Sequence, residues 1–476
     1  MSEQKRQPIT KTSDWFDATL VKEKSSRLSG AIFFALCAIA ASAVVAYGAV
    51  DVWALGLTAI FVGAVAVLWI IDSWRDGEFF FSANPLQISL FGLIAIGLIQ
   101  LLPLHNMSAS DDLLGAPVAR TLSLAPYLTR FAVVQLSIYF IFFAAALVFI
   151  DNQKRLRKTV FALVIFGSLM AFFGVLQRLA NIDGIYGIRQ TNAAITFGSY
   201  VNQHHFAALM EMIIGLPLAL LFGKATEKDW RIFLIVAAVV MGMTILFSGS
   251  RGGLISLLAV VGFIVAANLL KKRGAENNAD ADDEPASGFR RKIIPIVGGL
   301  ALILGLFGMV IMLGGDEALL RGVNLIDNQQ DVSNGRSYFW QIALKIIADY
   351  PILGTGLDSF GVVFTRYDFW NGNLRIEQAH NDYLQILADA GIFGFACVAS
   401  FIFLLFRQSL QIIGKTSDNF RRSVAVGALA GCFGIIIHSL FDFPLRTPAN
   451  GYIFLLLVVL ATANVNYPKL YRNKKR

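Results

Sequence analysis

Charge is scarce in this sequence. Lys, Arg, Asp and Glu together make up 15% of its 476 residues, against roughly 25% in soluble domains, too few to coat a water-facing surface on a chain of this length. Cysteine is scarcer still. Cys37, Cys397 and Cys432 are the three, each within an apolar run, so they read as small hydrophobes and no disulfide framework is implied. Also missing are the alternating segments of about 10 residues that mark a membrane β-barrel. Nor does any period of roughly 20 to 50 residues recur, which excludes a solenoid.

What the chain has instead is long, unbroken hydrophobicity: 56% hydrophobic residues and a mean hydropathy of +0.63. A hydrocarbon layer about 30 Å thick takes roughly 20 apolar residues per helix. Such runs lie near 29–50, 52–71, 85–104, 129–150, 159–179, 204–222, 232–248, 253–270, 293–313, 391–407, 424–441 and 449–467. The expected fold is all-α, a polytopic membrane protein of about twelve transmembrane helices with one large helical loop between spans 9 and 10. Its expected parts are an N-terminal tail (1–28), spans 1–9 (29–313), the large loop (314–390), spans 10–12 (391–467) and a basic C-terminal tail (468–476). The first apolar run is full length and has no small-residue cleavage site, so it is expected to be a retained helix and not a signal peptide.

Lys and Arg set the expected orientation, because short loops rich in them stay in the cytoplasm. With both ends inside, 29 of the 40 basic residues fall on the cytoplasmic side and 11 outside. The net charge of +8 is thus mainly a topology signal, suited to anionic lipid headgroups, and no evidence for nucleic acid. The cytoplasmic segment 274–289, which contains GAENNADADDEPASG, cannot bury enough apolar surface to fold and is expected to be a disordered linker. Its Asp280-Ala281-Asp282 lacks the surrounding domain that would make an Asp-x-Asp metal site, and Asp111-Asp112 is an ordinary polar-loop pair; no metal site is expected.

The large outer loop differs from the linker in carrying aromatics and helical patterning. From Arg336, RSYFWQIALKIIADY puts Phe339, Ile342, Ala343, Ile346 and Ile347 near one helical face, with Pro351 as a stop. A second helix is expected to start near Ala379, with Gly391 as a break before span 10.

Of the eleven outer basic residues, ten are Arg and one is Lys345. Many outer arginines are expected simply to pair with loop carboxylates. Arg251 is different: FSGSRGG leaves almost no loop between spans 7 and 8, putting Ser250 near the cap and Arg251 in the first turn. A cation there opposes the helix dipole, whereas a bound anion would meet backbone N–H groups, the dipole and a guanidinium together. Arg336, after Gly335 at the start of the loop helix, suggests a second phosphate clamp by the same logic, the alternative being an interfacial salt bridge. His380 is the candidate general base, since neutral imidazole can take a proton from an attacking hydroxyl. The neighbours His204 and His205 point to different helical faces and make a poor metal pair; Glu211, within a span, is expected to face the interior and pair with an Arg. His438, Asp442 and Arg446 cluster in HSLFDFPLRTPAN, either as a hydrogen-bonded turn or as the border of the same cavity.

Taken together, TLSLAPYLTR, FGSYVNQHHFAALMEM, FSGSRGG, NGRSYFWQIALKIIADYPILGTGLDSF, HNDYLQILADAGIFGF and HSLFDFPLRTPAN make the chain, from about Ala119 onward, resemble the O-antigen ligase and O-antigen polymerase (Wzy-type) family, which includes exopolysaccharide polymerases. The most specific feature is the family's His, then Asn, Ser or Gln, nine residues, Gly, two residues and a small or polar residue, met here by His380, Asn381, Gly391 and Gly394. The resemblance implies a bacterial inner-membrane enzyme with a periplasmic active site and cytoplasmic termini. It implies metal-independent, cofactor-free, inverting transfer of a glycan from an undecaprenyl-diphosphate carrier to an acceptor hydroxyl, on a growing glycan or on lipid A core. Arg251 and Arg336 would hold the diphosphate, His380 would deprotonate or orient the acceptor, and Ser250, Asn381, Glu211, His205, His438 and Arg446 would support them. Chain-length regulators and flippases are the partners such an enzyme would have. The competing reading is a transporter or flippase of lipid-linked glycans, disfavoured because the suspect residues gather at outer helix ends and not on broken midplane helices.

Overall fold

The computed structural model describes residues 27–77, 79–104, 120–180, 184–191, 195–276, 335–369 and 376–463. Their regular elements are helical, apart from two isolated β-bridges. In chain order they are α1 (Arg27–Val45), α2 (Val52–Asp76), α3 (Leu86–Gln100), α4 (Pro126–Phe149), α5 (Gln153–Leu179), α6 (Gln203–Phe222), α7 (Lys228–Phe247), α8 (Arg251–Glu276), α9 (Arg336–Asp349), α10 (Phe360–Tyr367), α11 (Asp382–Lys415), α12 (Asn419–His438) and α13 (Pro448–Thr462). Among the described residues nine helices are long and apolar enough to cross a membrane, and α3 and α13 are shorter apolar helices. The chain is a multi-pass helical membrane protein, as its run of apolar segments predicts. Eleven of the twelve expected spans coincide with these helices. The span expected at 293–313, the linker at 274–289 apart from its first residues, Asp111-Asp112 and both tails lie outside the described residues or almost wholly so.

Helices are the form such segments must take, because hydrocarbon offers no partner for backbone N–H and C=O groups. Their ends follow local signals. Asn152, Asn202, Asn381 and Asp418 each cap a helix start by accepting a backbone N–H. Pro126 and Pro448 open α4 and α13, where a missing N–H costs nothing.

The centre of the bundle is the pair α6 and α12, both almost entirely buried. They touch through glycines: a side-chain carbon on Gly215 would strike the backbone of Gly427, and one on Gly431 the backbone of Met212. Small residues that let backbones meet are what drives packing where lipid removes the hydrophobic incentive. Around this pair the outer helices show apolar residues such as Ile60, Val67 and Ile70 on their exposed faces.

The described part of the large loop is ordered. In α9, Phe339, Ile342, Ala343 and Ile346 are buried and Ile347 partly so, packed with Phe360, Val363 and Phe364 of α10 and with Ala379 and Ala388. This is the face the sequence pattern predicts. The helix expected near Ala379 starts at Asp382, and the break expected before span 10 falls at Gly391 (φ 62°, ψ −162°). The break lets the 350–358 segment press in, since a side chain on Gly391 would meet the Ile352 backbone. Gln100 at the end of α3 secures that segment, donating to the carbonyls of Leu353 (2.6 Å) and Asp389 (2.8 Å) and accepting from Leu357 N–H (2.9 Å).

Candidate active site at one end of the bundle

At one end of the bundle, α6, α8, α11 and α13 begin and α12 ends. The turn between α12 and α13 ties these ends together. Asp382 N–H donates to the Ser439 carbonyl (2.9 Å) and the Ser439 hydroxyl to the Asp382 carboxylate (2.8 Å). Asn381, while capping α11 through Tyr383 N–H (3.0 Å) and Leu384 N–H (3.1 Å), also donates its amide to the Leu440 carbonyl (3.0 Å). Tyr383 adds a bond to the Ile436 carbonyl.

His380 immediately precedes this cap and has a positive φ of 50°, a left-handed conformation that costs a β-carbon residue of order 1 kcal/mol or more and concentrates at functional sites. Its ring stacks on Phe339 of α9 (centroids 6.0 Å) and meets Phe443 edge-on (4.8 Å). Nδ1 lies 3.0 Å from Oδ1 of Asp442. Burial by itself would lift the Asp442 carboxyl. The hydrogen bond from His380 and the charges of His205, His380 and His438 outweigh burial and hold it well below the usual carboxylate range. An ionised carboxylate only accepts, so the His380 Nδ1 carries a proton, and in the neutral ring Nε2 keeps its lone pair. The His380 side chain is 32% exposed while Asp442 is 3% exposed: an accessible base backed by a buried orienting group.

Arg251 begins α8 where the sequence places it. Gly249 makes the turn (φ 63°), the buried Ser250 hydroxyl accepts Gly253 N–H (3.1 Å) as cap, and Arg251 is exposed at the first helical position. The next residue, Gly252, sits against the His438 ring, where a β-carbon would come 2.8 Å from Nε2. Arg336 begins α9, half-buried, after Gly335 in the left-handed region (φ 81°); its charge reaches both His204 and His438. No carboxylate pairs with Arg336 among the described residues.

Glu211, fully buried on α6, lies 2.9 and 3.1 Å through its two oxygens from His438 Nδ1. Its partner is therefore a histidine and not the arginine expected, because α12 brings its last residue over α6 at that depth. His205 Nδ1 is 2.7 Å from the Thr447 hydroxyl, its ring meets Phe443 edge-on (4.8 Å), and its buried Nε2 has no partner among the described residues.

Arg446 serves the scaffold. It pairs with Asp358 and with Asp389 (2.9 Å), and Asp382 is 3.9 Å away, so it locks the 350–358 segment and α11 to the α12–α13 turn. Arg189, bidentate on Asp51 at 2.6 and 2.8 Å, is another arginine expected outside that pairs with a carboxylate. Sequence reasoning missed Asp358, Asp389, Gln100 and the two aromatic rings flanking His380. The Gly-Thr-Gly-Leu-Asp-Ser run at 354–359 was the available signal for the first of these.

Arg251, Arg336 and His380 are thus at one end of the molecule, linked through His438, Asp442 and the α12–α13 turn. Such a site can bind an anion at two helix starts and take a proton beside it. Residues 236–399, about a third of the chain, match the O-antigen ligase family; no curated protein matches the chain. The match contains Arg251, Arg336, His380, Asn381, Gly391 and Gly394 and ends before His438 and Asp442. It supports a glycosyl-transfer role in polysaccharide assembly.

Proposed function

We propose that this multi-pass protein, carrying an O-antigen ligase segment, transfers a glycan from an undecaprenyl-diphosphate carrier to an acceptor hydroxyl at the outer face of a bacterial inner membrane, as a polymerase of repeat units or a ligase. Arg251 and Arg336 hold the two phosphates, each at a helix start where backbone N–H groups and the dipole favour an anion. His380 Nε2 takes the acceptor proton as that oxygen attacks the anomeric carbon. The bond from that carbon to the diphosphate oxygen breaks, the lipid diphosphate departs with the electron pair, and the configuration inverts. Asp442 keeps His380 in the required tautomer and stabilises the imidazolium that forms. The leaving group is already competent, so fixed guanidinium donors in a water-poor site suffice to meet its growing charge without a metal.

The observation that carries this reading is the His380–Asp442 pair, left-handed, ring-packed and accessible, at the end of the bundle where the Arg251 and Arg336 helices begin. The test is to give purified protein a lipid-diphosphate oligosaccharide in EDTA, with and without lipid A core, and size the products. A ladder identifies a polymerase and a single shifted acceptor band a ligase; no product in EDTA that returns with added divalent cation overturns the metal-free site. Movement of the intact lipid-linked glycan across vesicles without glycan transfer would favour the transporter alternative.

A further inference from the structure

One buried ionisable pair is not used by this chemistry. Glu211 has no exposed surface and His438 is 1% exposed. Ionisable groups at such depth are costly and are retained where they do something. The α6–α12 contact does not need them, because glycines already bring the two backbones together. The ring has two edges with different occupants. Nδ1 is taken by Glu211, and the Nε2–Cδ2 edge is turned on Gly252, where a β-carbon would lie 2.8 Å from both atoms. Gly252 is absent from the positive-φ glycines, so it is the imidazole and not the backbone that requires a residue without a side chain there. Gly252 in turn follows Arg251 in the first turn of α8, and the charge of Arg336 reaches the same imidazole.

The geometry points to Glu211 and His438 as a positioning pair for the anion site: the carboxylate orients the imidazole, and the imidazole braces the Arg251 turn at Gly252. This rests on the reading of Arg251 and Arg336 as the diphosphate clamp. The pair sets where the α8 start stands relative to the α9 start, and so whether two adjacent phosphates are met together. The consequence is selectivity. A lipid monophosphate needs one clamp, whereas a lipid diphosphate needs both in register.

The experiment measures binding of undecaprenyl diphosphate and undecaprenyl monophosphate to the purified full-length protein in detergent, with melting temperature recorded for each variant. The parent is expected to prefer the diphosphate and Arg251→Ala to lose that preference; a parent without it, or Arg251→Ala retaining it, refutes the clamp itself. Glu211→Gln, which keeps size but weakens the hold on the imidazole, should reduce the ratio of the two affinities by about tenfold, as expected for one misplaced charge-assisted contact. Gly252→Ala, which pushes on the His438 ring from the Arg251 turn and leaves the Glu211 carboxylate in place, should do the same and carries the test if Glu211→Gln does not fold. A purely structural role would weaken both lipids alike and leave the ratio within about twofold of the parent; that result in the folded variants overturns the positioning pair.

Discussion

Arginines stand in the first turns of helices at both ends of this bundle, but at one end they reach across to the closing turns of neighbouring helices. At the end remote from His380, Arg421 is buried and donates to the carbonyls of Ala461 and Ala463 where α13 ends. Arg422 reaches the Ala267 carbonyl near the end of the α8 span, and Arg155 the Phe149 carbonyl where α4 ends. Arg157 covers the rings of Phe161 and Phe420. Each meets the negative pole of a helix or an aromatic face, and packing alone accounts for it. At the other end Arg251 and Arg336 stand at the positive poles of the helices they begin, where a cation opposes the dipole, and Arg446 and Arg189 pair with carboxylates. The two ends thus set the same residue type against different partners, and the proposed phosphate clamp belongs to the end that holds His380.

Exchanging roles between the two ends should therefore fail, and the largest effect is expected at the opening arginines and the base. Arg251→Ala, Arg336→Ala and His380→Ala should each lower glycan transfer by at least about 10³-fold, with melting temperature in detergent essentially unchanged. Normal turnover in all three would end the contrast. Next comes Asp442→Asn, expected to cost about 10²- to 10³-fold in kcat by allowing the wrong His380 tautomer. Here the sign for pH is defined: a carboxyl depressed in the folded state contributes fully above its unfolded value and loses that contribution only as pH falls through the folded one. Between about pH 5 and 8 Asp442 should stay ionised, and an Asp442 carboxyl NMR signal that titrates within that window would contradict this. The smallest effect on turnover is expected at the far end, where Arg421→Ala leaves two carbonyls without their charged donor and should destabilise by about 2 kcal/mol, while activity per folded molecule stays at the parent level. Loss of activity in that variant, at equal folded protein, would erase the distinction between the poles.

How far the sequence could be read differs between features. Long apolar runs are a local property, so eleven expected spans coincide with helices, and the α9 face and the Gly391 break are where periodicity and glycine put them. Ser250 and Arg251 lie where capping chemistry predicts, since a cap is decided within four residues, whereas the helix expected from near Ala379 with His380 on its first turn begins at Asp382, so that His380 precedes its cap. Partners were another matter. Glu211 was expected to meet an arginine and meets His438, 227 positions away; Arg446 stood between a turn and a cavity and proves to be a three-carboxylate lock.

Hydrophobic continuity, cap signals and the bias of basic residues are one-dimensional quantities, and by themselves they determine a multi-pass helical protein and where its helices begin. Which side chains share the end of the bundle is decided by glycine-mediated contact of α6 with α12 and by the turn that brings Asp442 against His380. Those approaches join residues tens to hundreds of positions apart, at distances set by how backbones pack, and no local pattern in the chain encodes them.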